Sequence, residues 1–381
     1  VSDEVGVTVD GVRIDGSSTY KGDLPTGLEA ALENMLSVTT EDILSDTDTS
    51  KQFNWKFDSG DGHEFDFLAE GETLTLKYTV KADDKNGIDI GISDPKHYNE
   101  ISTDTHEITV TITGTNDAPT VNTTAEVKYD VIEDVTTKAT EEANIITGRV
   151  TDADAHDILS VTEVNGTEVT ANDTEITGTY GKLVISPDGK YHYVLDNDDN
   201  DTQALQKGQS AEDKFIVRVE DGHGGYVDQT ITVNVAGRND SPDIKVMEGK
   251  DLAEGAFAEG ELLQSTGTLT LTDADTADKV SAAISGIQVG GTYNLSQLQA
   301  AGFLKDPSKL LEMLRIKNTG SPDSDFASRD EIITGTETGS DGNITWKFDA
   351  GGEKFAFLNK GETLTLTYTI KADDGQKVET D

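Results

Sequence analysis

Two clusters of aspartate define the chemistry open to this chain. Asp152, Asp154 and Asp157 follow the strand-like run IITGRVT with D-x-D-x-x-D spacing, and Asp273, Asp275 and Asp278 repeat it after TLTLT. Residues two apart at a strand end point the same way, so the first two carboxylates of each cluster converge. Clustered hard oxygens suit Ca²⁺, which takes about six to eight such ligands, better than the tighter octahedron of Mg²⁺. Glu133-Asp134 and Glu220-Asp221 add adjacent acids in the middle of the chain. Asn116-Asp117 and Asn239-Asp240 each place an amide and a carboxylate two to three residues before a proline. Asp84, Asp221 and Asp374 close three related segments, 137 and 153 residues apart. A single Asp-x-Asp reads as solvated surface. Here the cluster recurs beside an Asn-Asp-x-Pro linker, where uncompensated carboxylates would repel one another. The candidate metal ligands are therefore Asp84, Asp117, Glu133, Asp134, Asp152, Asp154, Asp157, Asp221, Asn239, Asp240, Asp273, Asp275, Asp278 and Asp374. Spacing alone does not say which of them share one ion.

Other chemistry has little support. The six histidines show no H-E-x-x-H or other paired spacing, and His63 and His223 sit in glycine-rich turns that read as exposed. His156, inside DADAHD, reads as an outer residue of a calcium loop. There is no cysteine, hence no disulfide, thiolate metal site or cysteine nucleophile. No G-x-S-x-G, Walker loop or G-x-G-x-x-G occurs. Asp83-Asp84 is a poor acid–base dyad, because neighbours on a strand face opposite sides. An enzyme is not expected. A net charge of −43 excludes a nucleic-acid binder that works by phosphate neutralisation and disfavours anionic membranes. No run of about 18 apolar residues is present, so no membrane insertion is expected.

The elements that must position the acids are repeats. LAEGETLTLKYTVKADD at 68–84 matches LNKGETLTLTYTIKADD at 358–374, and LQKGQSAEDKFIVRVED at 205–221 shares the frame. Aromatic runs precede each: FNWKFD, YHYVLD and ITWKFD. GTNDAP at 114–119 and GRNDSP at 237–242 lie 123 residues apart. Three units follow: 1–118, 119–241 and 242–381. Their net charges are −17, −15 and −11, so the acid is built into each unit rather than gathered in a tail. TLTLKYTV, EITVTITG, KFIVRV, QTITVNV and TGTLTLT alternate apolar and polar residues at period two, and Ser186-Pro187-Asp188-Gly189 marks a hairpin. The fold class is all-β: tandem antiparallel sandwiches.

The outer two units add a short helix. Leu28, Ala31, Leu32, Met35 and Leu36 have helical spacing, and Leu310, Leu311, Met313 and Leu314 follow Asp306-Pro307, a good start signal. Trp55 and Trp346 read as core residues equivalent to Tyr193. The chain starts at Val1 without a methionine or signal peptide, as an excised piece would. Val1 is placed opposite Val280 and Asp381 near Gly91, so the first unit lacks its opening strands and the third its closing strand. An excised fragment accounts for this. The alternative is strand exchange between chains through residues 363–381 and 1–15.

The middle unit resembles the VCBS repeat of giant bacterial surface proteins. The matching residues are Gly178-Thr179-Tyr180-Gly181-Lys182-Leu183, Asp188-Gly189-Lys190-Tyr191-His192-Tyr193 and Gln203-Ala204-Leu205. Asp221-Gly222-His223-Gly224-Gly225 and Gly237-Arg238-Asn239-Asp240-Ser241-Pro242 continue the match; Arg238 and Ser241 depart from the usual GTNDAP. Such repeats belong to RTX-type adhesins exported by type I secretion. The resemblance implies Ig- or cadherin-like sandwiches in tandem, with Ca²⁺ at the joints and ligands among Glu133, Asp134, Asp152, Asp154, Asp221 and Asp240. It implies an extracellular stalk that contacts neighbouring repeats of the same chain, while other domains meet a host-cell or biofilm glycan or protein. A glycan- or peptide-binding module within the same adhesin is the alternative. The glycine-rich nonapeptide repeats of the RTX export signal are absent from the chain.

Overall fold

The computed structural model describes residues 5–39, 44, 49–83, 103–123, 126–136, 138–170, 173–260, 262–275, 278–300, 308–334, 341–353 and 355–376. Asp84, the Asp306-Pro307 pair, Val1 and residues 377–381 lie outside them.

The middle region is a two-sheet sandwich. Five strands lie in the order Thr167–Glu168, Ser160–Val164, Ser210–Glu220, Tyr226–Ala236 and Val127–Ile132. Four more lie in the order Thr174–Thr177, Gly181–Ile185, Lys190–Leu195 and Ala143–Asn144. Period-two alternation sends Phe215, Val217 and Val219, and Ile231, Val233 and Val235, to the inner face, all 0% exposed. They meet Leu183, Ile185, Tyr191 and Tyr193 from the facing sheet. Each such side chain contributes about 1.5–3 kcal/mol by leaving water. Gly189 takes the expected turn at φ 82, its N–H donating to the Ser186 carbonyl at 2.9 Å. One pairing departs from an antiparallel reading: Val127–Ile132 runs parallel to residues 231–236.

Strands of equivalent sequence occur in both outer regions. Thr73–Asp83 is the centre of a three-stranded sheet between Gly6–Ile14 and Thr103–Thr113, with Leu74, Leu76 and Tyr78 fully buried. Leu364–Asp373 pairs with Lys279–Gly291, which also pairs with Arg329–Thr334. A four-stranded sheet of Asp243–Lys245, Gln264–Thr272, Asp341–Asp349 and Leu314–Asn318 faces it across a core of Leu271, Val280, Ala282, Ile316 and Ile344.

The helical insertion has one anchor in both outer regions. Leu28–Met35 is a helix burying Leu28, Leu32 and Met35, and the Tyr78 hydroxyl donates to the Leu32 carbonyl at 2.8 Å. Ser308–Leu311 is a helix burying Leu310, and the Tyr368 hydroxyl donates to the Leu310 carbonyl at 2.7 Å. Leu36 is not helical as its spacing suggested: it pairs with Phe57, as Leu314 pairs with Phe348.

Two expectations need correction. Both outer sheets carry a bulge, between Val9 and Gly11 opposite Thr79–Val80 and between Ile284 and Gly286 opposite Thr369–Ile370. Val9 therefore matches Ile284, and Val5, not Val1, is the counterpart of Val280. Trp55 is also not a core residue, being 49% exposed where Trp346 is 6%. Trp346 is covered because Gln264–Thr272 puts Gly267 opposite it and the Leu252 carbonyl accepts its Nε1–H at 2.6 Å. The strand Trp55–Phe57 pairs, among the described residues, only with Leu36–Val38.

Candidate metal centres at the two joints

Each acidic cluster sits where an extended linker meets the next sandwich. The linkers begin at a clamped glycine. A Cβ on Gly114 would lie 2.2 Å from the Leu68 carbonyl oxygen, and one on Gly237 would lie 2.1 Å from that of Leu205. Close backbone approach therefore requires glycine at both places. It is held by Gly114 N–H donating to Glu72 O at 2.8 Å and Gly237 N–H donating to Gln209 O at 3.0 Å.

Beyond the glycine, five hydrogen bonds recur in the same order. At the first joint Asn116 Nδ2 donates to Asp221 Oδ2 at 3.1 Å, and Asp117 N–H to Asp154 Oδ2 at 2.8 Å. Asp154 N–H donates to Asp152 Oδ1 at 3.0 Å, Asp157 N–H to Asp154 O at 3.2 Å, and His223 N–H to Asp221 Oδ1 at 2.7 Å. At the second, Asn239 Nδ2 donates to Asp374 Oδ2 at 2.9 Å, and Asp240 N–H to Asp275 Oδ2 at 2.8 Å. Asp275 N–H donates to Asp273 Oδ1 at 3.0 Å, Asp278 N–H to Asp275 O at 3.1 Å, and Gln376 N–H to Asp374 Oδ1 at 2.7 Å. In each, one linker amide and one linker N–H aim carboxylates from two loops of the next sandwich at a common centre.

These bonds leave the opposite oxygens unused. Buried without a donor among the described residues are Asn116 Oδ1, Asp152 Oδ2, Asp154 Oδ1 and Asp157 Oδ1 at the first joint. At the second they are Asn239 Oδ1, Asp240 Oδ2, Asp273 Oδ2 and Asp275 Oδ1. Buried polar atoms are nearly always satisfied, and these eight are all acceptors, so a cation at each joint would satisfy them together. Oxygens of Asp152, Asp154 and Asp157 lie within 4.8 Å of one another, as do those of Asp273, Asp278 and Asp374. An all-oxygen set of carboxylates and an amide carbonyl fits a hard ion such as Ca²⁺. Gly225 completes the first cradle: a Cβ there would lie 2.1 Å from Asp221 Oδ2 and 2.8 Å from the Ala118 Cα.

The electrostatics match. Burial pushes Asp152, Asp154, Asp240 and Asp278 above the ordinary carboxylate range, and neighbouring aspartates add to it. Burial takes Asp273 up to about 6 and Asp275 to about 7. Asp221 is the exception. Burial opposes its charge, but hydrogen bonds from His223, Asn116 and Gly225 hold it below the usual range.

The structure sorts the candidate ligands into two groups. Asp117, Asp152, Asp154, Asp157 and Asp221 gather at the first joint, with Asn116. Asn239, Asp240, Asp273, Asp275, Asp278 and Asp374 gather at the second. Glu133 and Asp134, grouped by sequence only with the middle unit, belong to the second. Glu133 is 0% exposed and accepts from Arg238 N–H at 2.9 Å. Burial, then Asp240, Asp134 and Asp275, takes it to about 7. His223 is exposed, as its turn suggested, and its Nδ1 also lies 3.0 Å from Asp157 Oδ2. Its counterpart is Gln376, whose Nε2 donates to Asp278 Oδ1 at 3.2 Å. The D-G-H and D-G-Q triplets after equivalent strands were the available signal.

Residues 116–237 match the bacterial cadherin-like domain. A 132-residue stretch is 29% identical to the calcium-binding lectin RapA2 of Rhizobium johnstonii, covering 33% of this chain and 55% of that protein. The chain thus spans about half the length of this relative. Among solved structures, human CDH23 EC21-23 is similar with a TM-score of 0.33 and 13% identity over 72% of this chain and 74% of that one. Mouse Cadherin-23 EC22-24 gives a TM-score of 0.30 and 15% identity over 63% of this chain and 64% of that one. No described helix is long and apolar enough to cross a membrane. The sheet topology above makes the chain all-β, and its middle third is similar to the cadherin-like domains of bacteria.

Proposed function

We propose that the chain is a calcium-stiffened extender of a large bacterial surface adhesin, with sandwich units at 1–118, 119–241 and 242–381. One observation carries this reading: the same five hydrogen bonds and the same kind of stranded oxygens occur at both linkers. The match to a bacterial cadherin-like domain, and a relative named for calcium binding, support an extracellular adhesive setting and Ca²⁺ as the ion. Bound Ca²⁺ would neutralise the carboxylates that face each other across a linker. Asp117, Asp152, Asp154, Asp157 and Asp221 would hold it at the first joint. Asn239, Asp240, Asp273, Asp275, Asp278 and Asp374, with Glu133 and Asp134 alongside, would hold it at the second. The linker N–H groups and clamped glycines fix those ligands before an ion arrives, so little ordering entropy is left for binding to overcome. The extender contacts neighbouring repeats of its own chain, and domains elsewhere meet a host-cell or biofilm glycan or protein. Export by type I secretion follows from the VCBS resemblance. Small-angle X-ray scattering with calcium and with chelator tests it: the maximum dimension should hold steady with calcium and broaden on chelation. Identical profiles would refute a stiffening role.

A second reading, a glycan-binding module, is favoured by one feature. Trp55 presents a half-exposed indole of the kind that stacks on a sugar ring, and the relative carries the name lectin. A glycan array at fixed calcium separates the two, since an extender binds nothing and a module loses its signal in Trp55→Ala.

A further inference from the structure

The two joints share their hydrogen bonds but differ at one side chain. Where the first has His223, the second has Gln376, and both reach the last aspartate of the D-x-D-x-x-D cluster. At the first joint, ligand atoms of Asp157, Asp221 and His223 lie within 4.8 Å of one another. The Asp157 side chain is 1% exposed; its Oδ2 faces the imidazole, and its Oδ1 has no donor among the described residues. The ring itself is 42% exposed, which leaves an entry path and room for a water ligand. The cluster at the second joint, Asp273, Asp278 and Asp374, offers oxygen alone.

An imidazole nitrogen is a borderline-soft donor that Zn²⁺, Cu²⁺ and Ni²⁺ take readily and Ca²⁺ does not. Ligand atoms about 2.0–2.2 Å from a tetrahedral zinc lie about 3.4 Å apart. The 3.0 Å separation of His223 Nδ1 and Asp157 Oδ2 therefore needs to open by only a few tenths of an ångström. Two other histidines also pair with acids, His63 with Asp66 and His156 with Glu72, but neither joins a second carboxylate in a cluster of this kind among the described residues.

We propose that the first joint, and not the second, takes a first-row transition dication of the zinc class through His223, Asp157 and Asp221. The proposal rests on the joints being cation sites, and it gives one of them a second metal preference. Environmental zinc would then retune one linker of the stalk while the other stayed a calcium joint.

The test is calorimetric titration of Zn²⁺ into the calcium-saturated chain, with Co²⁺ absorbance reporting nitrogen ligation. The native chain should bind one zinc that excess calcium does not displace. His223→Gln, which copies the second joint, should weaken zinc by at least the roughly 10–100-fold that loss of an outer-sphere contact costs. His63→Gln should leave zinc binding as it is, and Gln376→His should add a second zinc site. Calcium uptake, measured first on the same samples, is the reference. If calcium binds and zinc affinity is unchanged in His223→Gln, the inference is overturned and the calcium reading stands. If calcium fails to bind, that reading falls, whereas zinc binding lost with His223 would still support this one.

Discussion

Asp154 and Asp275 are the pivots of their joints. Each gives one oxygen to a linker N–H and has the other buried without a donor, at 2% and 1% exposure. Asp154→Asn and Asp275→Asn should each remove calcium-linked stability, while the exposed Glu259→Ala should not; comparison of melts with calcium and with chelator checks this. Acidity gives a second handle. A carboxyl whose folded pKa lies above its unfolded value binds more protons folded than unfolded. For Glu133, Asp273 and Asp275, raised from near 4 to about 6–7, the contribution of these three groups to stability without calcium is complete below about pH 4 and is lost as pH rises through about 7. Bound calcium would hold the same groups ionised, so its affinity should rise across that window and its binding release protons. Melts at pH 5 and pH 8 in chelator, and calorimetry near pH 6 in buffers of different ionisation enthalpy, measure both. The convergence of the D-x-D-x-x-D carboxylates was legible because a strand end fixes where alternate residues point. His223 was not, because its role comes from a contact to Asp157, 66 residues away.

At the scale of elements, the repeat is most visible in its buried tyrosines. Tyr78 and Tyr368 each donate to a helix carbonyl, Leu32 O and Leu310 O. Tyr78→Phe and Tyr368→Phe should each cost about 0.5–1.5 kcal/mol in denaturant unfolding, with similar values for the two. Asp213 is a second such node: at 3% exposure it accepts from Thr179 N–H, Tyr180 N–H and the Tyr193 hydroxyl at 2.7–3.1 Å. Asp213→Ala strands those donors and should cost at least about 2 kcal/mol in the same measurement. The G-T-Y-G and Y-H-Y motifs of the middle unit thus have a structural role. The strands were legible from alternation, and the helix Leu28–Met35 from Leu28, Leu32 and Met35; the helices Asn200–Gln203 and Leu295–Ala300 were not. Glu133 could not be assigned to a joint, because the strand before it, Val127–Ile132, lies parallel to residues 231–236, and no local pattern specifies that pairing. Trp55 failed for a related reason: a strand pattern gives a face, whereas burial depends on what covers that face.

At the scale of the whole molecule, a net charge of −43 on 381 residues makes each compact unit repel its neighbours unless the joints are neutralised. The glycine clamps fix where each linker enters its joint. Gly114→Ala and Gly237→Ala should therefore destabilise the chain and weaken calcium binding together, since the added methyl meets backbone carbonyls within 2.2 Å. The most direct test of the account is the melting of the native chain at neutral pH, with calcium in hundredfold excess over its dissociation constant and with chelator. Binding to the folded state alone at that excess stabilises by about 2.7 kcal/mol per site. The account predicts a higher melting temperature with calcium, a difference that shrinks in Asp154→Asn and again when Asp275→Asn is added. Superimposed melting curves of the native chain would contradict it.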